Sequence, residues 1–135
     1  TYASTYGDFV RVALVPGTVP NAPPSQLQVR LAPTSPGTLE NLTGYCNASD
    51  EEGDALTYYY RWYVDDVLNL TGSSGPHSSG VETNVANISS DWTGKGENWT
   101  LSCLAGDGTA NSTSWVNASV AIELPSVGSY FLFTG

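Results

Sequence analysis

The 135-residue chain is short enough to be one domain and long enough to bury a core of its own, so neither a structural metal nor several disulfides is demanded of it. Its formal charge is −9 although only 13% of its residues are charged, because Arg11, Arg30, Arg61 and Lys95 are its only cations. A surface that acidic repels phosphate backbones and anionic lipid, which excludes nucleic acid as a partner, and no apolar run reaches the roughly 20 residues of a membrane helix, which excludes membrane insertion by one.

Residues 1–24 read as an N-terminal β segment followed by a Pro-rich linker. In DFVRVALVP (8–16), Val10, Val12 and Leu14 share one face, and Phe9, Ala13 and Val15 the other. Residues 16–36 hold six of the eight prolines, a density of locked φ angles and missing N–H donors that no helix survives. The body, 25–124, is a series of short β-rich runs separated by Gly, Asp, Asn and Ser clusters. Strands are expected near 26–32, 39–47, 56–64, 82–89, 97–104 and 113–123, the pattern of an all-β sandwich. SSGPHSSG (73–80) reads as a flexible loop by composition. A second β segment closes the chain over 125–135, with Val127, Phe131 and Phe133 on one face and Tyr130 and Leu132 on the other. The sequence contains no methionine, which fits a processed mature chain or a piece of a longer one, and both fit export.

Cys46 and Cys103 stand 57 positions apart in strand-like runs, with Trp62 sixteen residues after the first. This resembles the immunoglobulin arrangement, which implies a Cys46–Cys103 disulfide between strands B and F packed on Trp62, oxidised in an exported protein. A metal site built on the two thiols is the competing reading; it needs further ligands, and the sole histidine, His77, stands in the Gly/Ser loop. The segment LAPTSPGTLENLTGYCNASDEEGDALTYYYRWYVDD (31–66) is similar, more narrowly, to the Ig-like and PKD-like repeats of bacterial and archaeal surface proteins. One position departs from the immunoglobulin pattern: two residues before the second cysteine, where a tyrosine corner would stand, the chain has Leu101. The resemblance implies an immunoglobulin-like β-sandwich, to which the runs at either end add extra N- and C-terminal β segments, in a prokaryotic cell-surface protein or filament, the resemblance leaning to the archaeal ones.

N-x-S/T occurs at Asn41, Asn47, Asn69, Asn87, Asn98, Asn111 and Asn117, leaving only Asn21 and Asn84 outside it. With Ser and Thr at about 22% of the chain, chance accounts for roughly two such sequons. Strand parity sharpens the reading. If Cys46 and Cys103 point inward, then Asn41, Asn47, Asn98 and Asn117 point outward, as does Asn87 opposite an inward Ile88. Asn69 and Asn111 fall in expected loops. Tyr45 and Trp115 each stand two residues before a sequon asparagine, on its face, which makes them candidate glycan-stacking rings; exposed aromatics at a protein contact are the alternative.

Catalytic constellations are missing: one histidine permits neither HExxH nor a three-His site, and there is no G-x-S-x-G elbow. No enzyme activity, cofactor or resident metal is expected. Asp50, Glu52 and Asp54 in the turn around Gly53 are calcium candidates as hard oxygen ligands, although their spacing does not match an EF-hand loop and a solvated turn is the plainer reading. Three functions remain. One is a subunit of an extracellular, heavily N-glycosylated filament or pilus, whose end segments, through Phe9, Val10, Val12, Leu14, Phe131 and Phe133, join copies of itself head-to-tail by strand exchange. The second is one Ig-like repeat of a large cell-surface adhesin or stalk. The third is a carbohydrate-binding module using Trp92, Trp115, Tyr59 and Tyr63.

Overall fold

Alternation in the sequence becomes alternation in burial: along Leu42–Ser49 every second residue is buried and every other one is half-exposed. The computed structural model describes residues 20–123, so the end segments bearing Phe9, Val10, Val12, Leu14, Phe131 and Phe133 lie outside the described residues. Among the described residues seven strands follow in chain order: β1 (Ser25–Ala32), β2 (Leu42–Ser49), β3 (Leu56–Val64), β4 (Val67–His77), β5 (Thr83–Ile88), β6 (Asn98–Gly106) and β7 (Val116–Ala121), with a 3₁₀ turn at Ser90–Trp92. They form a three-stranded sheet, β1-β2-β5, and a four-stranded sheet, β4-β3-β6-β7, antiparallel throughout.

The two sheets face each other across a core led by Trp62, Trp99, Tyr58, Leu42, Leu56, Leu101 and Ile122. Cys46 from one sheet and Cys103 from the other are disulfide-bonded and fully buried. Trp62 meets Trp99 edge-on, with ring centroids 6.1 Å apart, and the Trp99 indole N–H donates to Glu97 Oε1 at 3.0 Å. Tyr58 is wholly buried, yet its hydroxyl oxygen accepts the Ala48 N–H at 2.9 Å, and burial holds its pKa above the ordinary tyrosine value. Gly44, inward on β2, has no room for a side chain: an added Cβ would lie 2.5 Å from Leu101 Cδ2 and 3.4 Å from Trp62 Cζ2.

Six strands lie where the sequence puts them, with ends shifted by up to three residues. The seventh, β4, corrects the reading of 73–80 as a loop: Ser73 to His77 belong to a strand, and so does Asn69. Composition hides it because it is an edge strand, exposed over most of its length and rich in Ser and Gly. What creates it is the hairpin turn Asp65-Asp66, where both residues adopt positive φ (49° and 68°), the twist that two-residue hairpins require.

Chain entry and exit lie at opposite poles. Near the entry, Asn21 Nδ2 donates to Asp107 Oδ2 at 2.8 Å, in the turn after β6. β7 then runs antiparallel to β6, away from that turn, until Ala121 stands opposite Asn98 at the start of β6. There Glu123 N–H donates to the Pro36 carbonyl at 2.8 Å and forms a parallel bridge with Gly37.

Candidate functional site

Seven sequon asparagines decorate this frame. Asn41, Asn69, Asn87, Asn111 and Asn117 are exposed, and Asn47 and Asn98 are half-buried at the surface. Asn98 and Asn117 share the outer face of the four-stranded sheet, where the hydroxyls of their own sequons, Thr100 and Ser119, bond each other at 2.7 Å. Asn47 stands on the outer face of the other sheet and Asn87 on its edge strand. The expected outward parity holds at each strand-borne sequon.

The two candidate stacking rings have a partner that the sequence did not disclose. The Arg30 guanidinium lies over Tyr45 at 4.1 Å from the ring centroid, and the Arg61 guanidinium lies over Trp115 at 4.1 Å. Register brings them there: Arg30 pairs with Tyr45 across β1–β2, while Arg61 pairs with Ser102 and Ser102 with Asn117, two residues past Trp115. Arg30 also makes two bonds to Glu82, at 2.9 and 3.0 Å. That pairing raises the guanidinium's pKa and lowers the carboxylate's, but both groups are about half exposed, so solvent screens them and the pair adds little stability.

Tyr59, Tyr63 and Trp115 fall on the outer face of the four-stranded sheet, and Tyr59, Arg61, Thr71, Leu104, Asn111 and Trp115 line a shallow groove of about 490 Å³ there. Trp92 is elsewhere, in a groove between β4 and β5, so the four aromatics proposed for sugar binding do not make one platform.

At the entry pole the turn carboxylates of Asp50, Glu52 and Asp54 are joined by one the sequence reading missed, Asp107; one oxygen from each lies within 4.8 Å of the others. Asp50 Oδ1 accepts the Glu52 and Asp54 N–H groups at 3.0 Å each, while its Oδ2 is enclosed without a partner. Asp107 accepts from the Ala110 and Thr109 N–H groups and from Asn21, and these bonds hold its pKa down at about 2. Among the described residues these four form the group able to hold a hard divalent cation of calcium's kind. His77 is not in a loop: it ends β4, bonded to Ser74 Oγ at 2.7 Å and stacked on Tyr58, remote in role from any thiol site, since both cysteines are disulfide-bonded.

No family model matches the sequence, and no curated protein matches it. Among solved structures, the chain is similar to the PKD domain of an M14-like peptidase from Thermoplasmatales archaeon SCGC AB-540-F20. The TM-score is 0.61 and the identity 27%, over 77% of this chain and 99% of that one. Two antiparallel sheets, a buried inter-sheet disulfide and this likeness to an archaeal domain together make the body of the chain an immunoglobulin-type β-sandwich of the PKD-like kind.

Proposed function

We propose that this chain is a structural, non-catalytic subunit of an extracellular N-glycosylated filament, in which the N-terminal segment of one copy, residues 8–15, adds as a strand to β1 of the next. One observation carries the choice of edge. Of the four edge strands among the described residues, β4, β5 and β7 carry sequon asparagines (Asn69, Asn87 and Asn117), whereas β1 carries none. A sugar on a strand obstructs a neighbour approaching its free edge; β1 alone stays bare, and its open N–H and C=O groups are a template for pairing. Entry and exit at opposite poles suit a head-to-tail contact, which propagates as an open fibre.

Deleting residues 1–16 is expected to abolish fibres while leaving a folded monomer, and a synthetic peptide of residues 1–16 is expected to bind that monomer. A second block, Gln28→Asn with Arg30→Thr, places a sequon on β1 and is expected to stop assembly when glycosylated. Fibres from the truncated protein would refute the mechanism. The same polar geometry suits covalent tandem repeats of a cell-surface stalk, and an intact chain that stays monomeric at high concentration favours that second reading.

A further inference from the structure

Two of the surface aromatics at sequons are capped by arginine, and Trp62 and Trp99 are buried. Trp92 is different. It ends the 3₁₀ turn Ser90–Trp92 with 71% of its surface exposed, beside Leu70 at 44%. Both line a groove of about 350 Å³ whose β4 wall is Asn69 and Leu70 and whose other wall is Asn87, Ile88, Ser89 and Trp92. An indole and a leucine left that open are costly in water, and the groove that contains them is flanked by two sequon asparagines.

Local bonds prepare one of those asparagines. Asn84, which is outside any sequon, donates through Nδ2 to the Gly44 carbonyl at 2.8 Å and to Asn87 Oδ1 at 2.9 Å. With its oxygen held by Asn84, Asn87 turns away its Nδ2, the atom through which an N-linked sugar is carried. Ser89 closes the same sequon and is also the N-cap of the turn, accepting the Asp91 N–H at 3.2 Å, so the residue that licenses the sugar also positions Trp92.

We propose that the groove between β4 and β5 is the bed of the glycan on Asn87, whose proximal pyranoses lay their C–H faces on Trp92 and Leu70. This rests on the N-glycosylation reading above and adds to it where the sugar lies and what it does. The polysaccharide hydroxyls stay in water while the ring C–H groups cover apolar surface, as amphipathic groups do. The covered groove borders the free edges of β4 and β5, so the sugar also closes the side of the sandwich where a stray strand would otherwise add; with Asn117 on β7, that leaves β1 as the edge without a sequon.

The test uses the full chain isolated in its glycosylated form and the same chain made in a host that does not glycosylate. Glycopeptide mass spectrometry reads occupancy at Asn87. Iodide quenching of Trp92 is taken as the difference between the parent and Trp92→Phe. In the glycosylated protein, Asn87→Gln is expected to increase Trp92 quenching at least twofold and to lower the melting temperature. Trp92→Ala is expected to lower it similarly, with the double variant no worse than either single one. In the unglycosylated protein Trp92→Ala is expected to leave melting within a degree of its parent. An occupied Asn87 whose loss changes neither quenching nor melting overturns the bed while leaving glycosylation intact; a bare Asn87 overturns both at this site.

Discussion

Gly44→Ala tests the inward register of β2, on which the outward placing of Asn41 and Asn47 depends. The missing Cβ would lie 2.5 Å from Leu101 Cδ2, 3.1 Å from the Ala86 carbonyl and 3.4 Å from Trp62 Cζ2. Carbon atoms pack best at about 3.5–4.0 Å, so Leu101 must retreat by roughly 1 Å. It has nowhere to go, because Leu101 and Trp62 are both fully buried and β5 holds the third side. Overpacking of this kind costs about 1–3 kcal/mol, and the alanine's smaller unfolded-state entropy returns about 0.4–1 kcal/mol. A net loss of about 1–2 kcal/mol follows, or a melting temperature lower by roughly 4–9 °C for a domain of this size. Urea unfolding followed by tryptophan fluorescence measures it, with an unchanged m-value expected. Leu101→Val removes reach at the point of conflict, so the Gly44→Ala/Leu101→Val pair is expected to be less destabilised than the sum by at least about 0.5 kcal/mol. A neutral or stabilising Gly44→Ala, or strict additivity in that cycle, would show that β2 does not sit in this register.

Replacing both Cys46 and Cys103 by alanine opens a loop of 57 residues and is expected to cost about 4 kcal/mol in urea on the chain-entropy account; a loss below about 1 kcal/mol would contradict it. Arg61→Ala uncovers one face of Trp115, so acrylamide quenching should rise while urea stability stays nearly unchanged, the stack being a surface one. The folded pKa of Asp107, about 2 against an ordinary 3.8, is depressed, so its contribution is complete above about pH 4 and fades as pH falls towards 2. In metal-free buffer Asp107→Asn should therefore flatten the acid limb of the stability curve between those values, and an unaltered limb would disprove the bonds assigned to it.

Much of this architecture is legible in the chain because period-two alternation and burial are the same fact in a half-buried strand. Leu42, Gly44 and Cys46 read inward, and Val116, Ala118, Val120 and Ile122 do likewise, without knowledge of any partner strand. The sequon asparagines follow from the same parity, since a residue next to an inward one faces water. β4 escaped for the converse reason: an edge strand exposed on both faces has no alternation to show, and only the two-residue turn Asp65-Asp66 announced it.

Partners across the sheets were decided by tertiary structure. Nothing local says that Arg30 faces Tyr45, that Arg61 crosses β6 to reach Trp115, or that Asp107 joins a turn more than fifty residues earlier. These meetings depend on strand order and register, set by long-range pairing and by the fit of Trp62, Leu101 and Gly44 between the sheets. Side-chain chemistry and the inward or outward sense of each strand are local properties of the chain; which chemistries share a surface is a property of the packed sandwich, because only packing closes the distance between residues remote in sequence.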